Sequence, residues 1–250
     1  MRGPRELAPG VYGLGTELVN WYLVENGGRL TAIDAGLPKF ATTLDGDLRG
    51  LGHSVSDVEA VVLTHSDADH TGVAPRLRDA GARVLIHADD AAALRKPGPK
   101  KGDASPRHVL GNLWRPETRT ILRDTLRYGG ARPSKVDDPE TFSDGDVLDV
   151  PGRPRVVHAP GHTAGHSALL FERKDVLFAG DALITHQLIT KGAGVRLMPR
   201  FVNEDNAACL ASLTRLETVS ADLVLLGHGE PWHEGPAAAA AQARAAAEEA

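Results

Sequence analysis

Apolar residues recur along this chain with two different periods, and the switches between them outline the fold. Residues 10–34 hold apolar or alternating runs, "VYGLG", "LVNWYLVEN" and "RLTAIDAG", separated by Gly and Asn in the pattern of hairpins. "FATTLDGDLRGLG" reads as a helix stopping at Gly50 or Gly52. "VEAVVLTH" is a buried-strand run, "TGVAPRLRDAG" a helix stopped by Gly81, "ARVLIHA" a strand and "DDAAALRK" a short helix. Residues 97–107, "PGPKKGDASPR", read as a loop, and 108–130 as helix interrupted near Pro116. A second strand-rich half follows with "DVLDV", "RVVHAP", "HSALLFE" and "DVLFAGD". "NEDNAACLASLTRLE" predicts a helix capped by Asn203, "ADLVLLGHG" a last strand, and the alanine-rich residues 236–250 a last helix. Two halves of this order suit two mixed sheets with helices outside. The length suits one large domain, over 1–250, or two small ones, with a helical insertion at 97–135.

Composition narrows the function classes. A chain of 250 residues, 42% of them hydrophobic, can bury a sizeable core. A net charge of −5 disfavours a nucleic-acid binder held by a basic surface. The lone cysteine, Cys209, excludes an internal disulfide. "RGPRELAPG" after Met1 lacks a signal-peptide core, and no apolar run reaches the roughly 18 residues of a membrane span. A cytoplasmic location, no nucleic-acid partner and no membrane partner are therefore expected. Nothing in the composition fixes an oligomeric state.

The chemistry concentrates in "LTHSDADHTG", residues 63–72, which puts His65, Asp67, Asp69 and His70 within six positions. So many ionisable groups on one loop repel and lose hydration unless a cation joins them. An extended turn with this spacing can divide its side chains between two neighbouring ions. Three more apolar runs end in metal-type ligands: "RVVHAPGHTAGHS" with His162 and His166, "VLFAGDAL" with Asp181, and "LVLLGHGEP" with His228. Loops at the carboxyl ends of strands are rigidly placed and reachable by water. A lone His after a strand is ordinarily a satisfied polar residue, so the argument rests on the first cluster. Cys209 sits among Ala and Leu and reads as core, and no Ser–His–Asp order competes. "GLGTE" and "GGAR" lack the context of phosphate-binding loops.

In this order, H-x-[H/D]-x-D-H, G-H-T-x-G-H, G-D and G-H resemble the signature of the metallo-β-lactamase superfamily. "AIDAG" at 32–36 resembles a further motif of that family, and the resemblance spans roughly residues 10–230. It implies a four-layer αββα sandwich, class α/β, with a dinuclear metal site between the sheets and an insertion covering it. One ion would take His65, Asp67 and His162; the other Asp69, His70 and His228; Asp181 would bridge both. Asp34 would orient a ligand and His166 would support the loop. The resemblance implies two divalent metal ions, zinc first, with Asp69 orienting the attacking water and shuttling its proton. It implies a hydrolase acting on an ester, lactone or thioester of a small molecule, closest to the glyoxalase II, lactonase and thioesterase-like members. Phosphodiesters and β-lactams are the alternatives on this fold. A mononuclear iron dioxygenase or a non-catalytic metal-binding scaffold are those of another class. Trp114, Tyr128 and Arg132 in the insertion, and His186 and Arg200 on the opposite rim, are candidate substrate contacts.

One position departs from the common pattern, which has His where this chain has Asp67. The carboxylate is shorter, so an ion must move closer or a water must bridge. It also adds charge: Asp67, Asp69 and Asp181 would offset three of the four positive charges of two divalent ions, raising the pKa of a bound water. An added oxygen donor favours harder ions such as manganese or iron. Family members with a carboxylate there include flavodiiron oxidoreductases, with Glu, and certain phosphodiesterases, with Asp.

Overall fold

Alternation along each strand sends neighbouring side chains into different hydrophobic layers. In a computed structural model that describes residues 1–98, 110–131, 133–186 and 193–248, Val61 and Val62 show the division. Val61 packs with Leu44, Leu48 and Leu77 on one side of its strand, and Val62 packs with Phe178 and Leu225 on the other.

Among the described residues two sheets form. The first runs β1 (Arg2–Ala8), β2 (Val11–Gly15), β3 (Asn20–Asn26), β4 (Arg29–Ile33), β5 (Val58–Val62), β6 (Arg83–His87) and β7 (Glu140–Phe142), hydrogen-bonded in that order. Its pairs are antiparallel from β1 to β4 and parallel from β4 to β7. The second holds β8 (Arg155–His158), β9 (Ser167–Phe171), β10 (Val176–Gly180) and β11 (Leu223–Leu226). There β8, β9 and β10 pair antiparallel, while β10 and β11 pair parallel.

Helices α1 (Leu44–Gly50), α2 (Ala74–Asp79) and α3 (Ala91–Arg95) cover the outer face of the first sheet, each contributing buried leucine or alanine to its outer core. α4 (Pro116–Arg127) lies in the insertion, and α5 (Asn206–Glu217) and α6 (Gly235–Glu248) cover the second sheet through Leu213, Leu216, Ala239 and Ala243. Between the sheets Phe178 meets Tyr22 at 5.2 Å and Phe171 at 5.3 Å, ring centre to ring centre, in edge-to-face contacts. The result is the four-layer αββα sandwich.

Three local expectations change. β1, "RGPRELA", lies before the expected hairpins; it is a polar, mostly exposed edge strand whose register shifts twice against β2, so it carries no apolar alternation. "DVLDV" is not a strand: only Val147 makes an isolated bridge, to Arg155, while Leu148 and Val150 turn into the core between the sheets. Asp205, not Asn203, caps α5, its Oδ1 accepting from the amides of Ala207 (2.9 Å) and Ala208 (3.0 Å). Asn203 is buried elsewhere, with consequences for the site.

α4 starts at Pro116, where a missing N–H costs nothing, and buries none of its residues. The insertion is tied back by the amide of Lys39 donating to the Tyr128 carbonyl (3.0 Å) and by Ser134 Oγ donating to the Gly72 carbonyl (2.9 Å). Among the described residues no helix is long and apolar enough to cross a membrane.

Candidate metal centre

The loops that follow β4, β5, β8, β10 and β11 meet at one end of the sandwich. The first begins with Asp34, whose φ of 58° places it in the left-handed region that Asp tolerates better than most residues. Its buried carboxylate accepts from the Thr64 amide (2.8 Å), from Thr64 Oγ1 (2.9 and 3.0 Å) and from His70 Nδ1 (2.9 Å). With its proton given to Asp34, Thr64 Oγ1 accepts from His65 Nδ1 at 2.9 Å. One carboxylate thereby orients two imidazoles, His70 directly and His65 through the threonine.

The other two rings are held the same way. His162 Nδ1 donates to Asn203 Oδ1 (3.0 Å), whose own amide nitrogen is committed to the Met198 carbonyl (3.1 Å) and Asn206 Oδ1 (2.9 Å). His228 Nδ1 donates to the Leu18 carbonyl. These bonds assign the tautomer of each neutral ring: in all four Nδ1 carries the proton, so Nε2 is the nitrogen that offers a lone pair once the ring is neutral.

The four Nε2 atoms surround Asp181. They lie 3.1 Å (His228), 3.6 Å (His162) and 4.0 Å (His65) from its Oδ2, and 3.4 Å (His70) from its Oδ1. Asp67 Oδ2 is 3.1 Å from His162 Nε2 and 3.6 Å from His65 Nε2. Asp69 Oδ2 is 3.6 Å from His228 Nε2 and 3.9 Å from His70 Nε2. Donor atoms within 4.8 Å of one another thus form His65–Asp67–His162 and Asp69–His70–His228, and a third trio, His65–His70–Asp181, joins them through Asp181. Gly227 leaves room for this: a Cβ there would fall 2.1 Å from Asp181 Oδ1.

His166 points elsewhere. Its Nδ1 donates to the Ala159 carbonyl (3.2 Å) and its Nε2 accepts the Asp181 amide (2.9 Å), so it fixes the backbone that carries the central carboxylate. Burial, reinforced by His65 and His162, pushes its pKa well down, in keeping with a neutral ring.

The donor set fits divalent cations. His65 Nε2, His70 Nε2 and Asp181 Oδ1 are buried and hydrogen-bonded to nothing among the described residues, an arrangement that is costly unless an ion accepts their lone pairs. The same groups draw one another toward their charged forms. Burial alone raises the Asp181 carboxyl, yet His228 and His70 hold it well below the usual carboxylate range. Burial likewise raises Asp67, and His65 and His162 overcome it to hold that group well down. Burial lowers His162, but the Asp67 carboxylate lifts it to about 9. Burial also lowers His70, and Asp181, Asp34 and Asp69 lift it well above the ordinary imidazole value.

Asp90 stitches the two histidine loops together. Buried behind them, it accepts from the Ser66 amide (2.9 Å) and Thr163 Oγ1 (2.8 Å) on one oxygen and from the Gly165 amide (2.8 Å) on the other. Ser66 lies between His65 and Asp67, and Thr163 and Gly165 lie between His162 and His166. Sequence reasoning missed Asp90 and the supporting role of Asn203; the apolar context of "HADDAAALRK" marks Asp90 as a helix start but not as a bridge between sheets.

A cleft opens beside Asp69 and His228. Ile121, Asp124, Thr125 and Tyr128 line it at the three- and four-residue spacing of one α4 face, opposite Leu18, Val19 and Leu37. Tyr128 is thus among the residues that line the cleft. Trp114 does not line the cleft: it precedes α4, is 72% exposed, and packs on the Arg115 guanidinium at 5.1 Å. Arg200 is exposed and outside the lining; its carbonyl accepts from Asn206 Nδ2 at 3.0 Å. His186 is half-buried beside the His228 loop, where burial and His228 lower its pKa. Arg132 lies outside the described residues. Burial raises the Cys209 thiol to about 12, as expected of a core residue.

Two trios of imidazole and carboxylate around a shared aspartate, at the carboxyl ends of strands in an αββα sandwich, define a metallo-hydrolase centre. The model for the metallo-beta-lactamase superfamily matches residues 14–228, and the chain belongs to that superfamily, whose members use divalent metals. It is 28% identical to the probable metallo-hydrolase YflN of Bacillus subtilis (strain 168), over 90% of this chain and 86% of the relative. The crystal structure of the metallo-beta-lactamase family protein TTHA1429 from Thermus thermophilus is similar with a TM-score of 0.71, at 30% identity over 98% of this chain and 81% of that one. An atrochrysone carboxyl ACP thioesterase, dmxR1 of Cryptosporiopsis sp. (strain 8999), is 29% identical over 67% of this chain, which spans 39% of the thioesterase's own length.

Two outcomes follow for metal binding. His162 takes up a zinc ion only as a neutral ring, and its pKa of about 9 in the metal-free protein means a proton must leave at neutral pH. Its protonated form, stabilised in the folded protein, persists at neutral pH and is lost as pH rises through that value, so zinc affinity should increase from pH 7 toward 9. Zinc uptake at pH 7 should release protons to an indicator dye, and release should fall in His162→Ala. Asp90→Ala should weaken zinc binding by about 10- to 100-fold in a chelator competition, although Asp90 touches none of the donor atoms.

Proposed function

We propose that this chain hydrolyses an uncharged ester, lactone or thioester of a small molecule with the aid of two divalent metal ions. The observation that carries the reading is the cleft beside Asp69 and His228. Its described lining sets Leu18, Val19 and Leu37 opposite a mixed α4 face of Ile121, Asp124, Thr125 and Tyr128; its carboxylates are Asp69 and Asp124, and no lysine or arginine is among the lining residues. Phosphodiesters and the carboxylate of a β-lactam are ordinarily met by cations. An acyl chain or ring suits Leu18, Leu37, Ile121 and Tyr128. The thioesterase among the relatives supports the same choice.

His65, Asp67 and His162 would hold one ion, Asp69, His70 and His228 the second, and Asp181 would belong to both. Four imidazoles with carboxylates suit zinc, and the oxygen of Asp67 extends the choice to manganese or iron. Divalent ions there supply Lewis acidity, which lowers the pKa of water and polarises an acyl carbonyl. The protein supplies the rest. The Asp69 side chain is 32% exposed while that of Asp181 is 2% exposed, so Asp69 is the carboxylate that can orient a water from the cleft. Asp69 takes the proton of the attacking water and delivers it to the leaving oxygen or sulfur. Asp34, Thr64, Asn203 and the Leu18 carbonyl keep the four rings from turning, so no reorganisation accompanies the reaction. Leu18, Val19, Leu37 and Ile121 supply the apolar contact for the acyl group.

Metal-replete protein should turn over lactones and thioesters in preference to β-lactams and phosphodiesters, and a chelator should abolish the activity. Asp69→Asn should lower kcat by about 10²- to 10⁴-fold with a smaller change in KM. Better turnover of phosphodiesters or β-lactams, or substrate loss that stops without oxygen, would overturn the reading.

A further inference from the structure

Away from this centre, the described residues bring together one more group of imidazole and carboxylate donors. His87 ends β6 in the first sheet, Asp89 follows in the next turn, and His158 ends β8 in the second sheet. One ligand atom from each lies within 4.8 Å of the other two. The two rings stack in parallel, their centres 4.1 Å apart and their planes 7° from each other.

One of the two rings is anchored through a single nitrogen. His158 Nε2 donates to the Ala164 carbonyl at 2.9 Å, which leaves Nδ1 as the free donor atom. This is how the four central rings are presented, with one nitrogen anchored to the protein and the other available. His87 Nδ1 lies 3.7 Å from Asp89 Oδ2 and accepts only a long contact from the Asp89 amide, at 3.3 Å, which an ion would displace. Stacked imidazoles disfavour two protons, and burial together with His158 pushes the His87 pKa down, leaving that ring neutral for a metal at pH 7. Asp90 and Asp144 add negative potential around the pair, although Asp144 is also paired with Arg215.

We propose that His87, Asp89 and His158 form a separate divalent-cation site that takes a zinc-like ion and joins the rims of the two sheets. Two imidazoles and a carboxylate match zinc, with water completing the fourth position. Closure around one ion requires donor separations of about 3.4 Å, set by metal–ligand distances of roughly 2.0–2.2 Å at tetrahedral angles. The rings therefore swing out of their parallel stack until both lone pairs converge. Since His87 and His158 come from different sheets, such an ion would cross-link the sandwich and stabilise the folded state by mass action.

The test uses the full chain and zinc alone. Bound zinc is counted at graded free concentrations in the wild type, His158→Ala and Asp89→Asn, and thermal unfolding is followed in the same samples. His158→Ala should bind one equivalent fewer than the wild type, whatever number the catalytic centre takes, and should lose part of the zinc-induced rise in Tm. Asp89→Asn, a change at an exposed position, should weaken that same equivalent by about tenfold or more and decides the matter should His158→Ala fold poorly. Equal zinc counts and affinities in the wild type and the folded variants would overturn the proposal.

Discussion

Four imidazoles face one another across a buried carboxylate because each has its other nitrogen engaged by the protein. Asp34, Thr64, Asn203 and the Leu18 carbonyl take the four Nδ1 protons, and Nε2 of His65, His70, His162 and His228 is left pointing at Asp181. Turning any ring would break a buried hydrogen bond, so the lone pairs stay where they are. Convergence of this kind is unfavourable for a protein alone and favourable around cations. The raised His162 and His70 and the lowered Asp181 and Asp67 express that tension in protons.

The sandwich exists in the form that makes this constraint affordable. Parallel neighbours β4 and β5 in one sheet, and β10 and β11 in the other, end side by side and deliver Asp34, His65, Asp181 and His228 to a common rim. Phe178 and its neighbours fix the spacing between the sheets. Asp90 then locks the loop after β5 to the loop after β8 across that gap, and Gly227 keeps the space beside Asp181 clear. One wall of the cleft comes from a different element, helix α4, which contributes none of the ligands, while the other comes from Leu18, Val19 and Leu37 beside the centre itself.

How much of this was legible in the sequence depends on how local the information is. The strands carrying the site could be read because buried runs such as "VEAVV" and "DVLFAG" are continuous and apolar. The donors could be read because His65, Asp67, Asp69 and His70 are contiguous and the remaining donors follow apolar runs. Asp90 and Asn203 were not legible as partners of the site, since an Asp near a helix start and an Asn near another look like caps until tertiary structure shows what they touch. β1 escaped because an exposed edge strand has no need of alternation. Trp114 drew attention as an aromatic, yet a lining is decided by helix face: Ile121, Asp124, Thr125 and Tyr128 share one, and Trp114 lies before the helix begins. Asp67, the departure from the usual histidine, still reaches His162 Nε2 at 3.1 Å, so the shorter side chain remains within the cluster.

The central claim is that Nε2 of the four histidines, with Asp181 between them, holds the metal. Anomalous diffraction at the zinc edge from crystals of the zinc-replete protein tests it most directly. The account predicts two peaks flanking Asp181, one bounded by His65 and His162 and the other by His70 and His228, each met through Nε2. An empty centre, or ions met through Nδ1 after rotation of the rings, would contradict it.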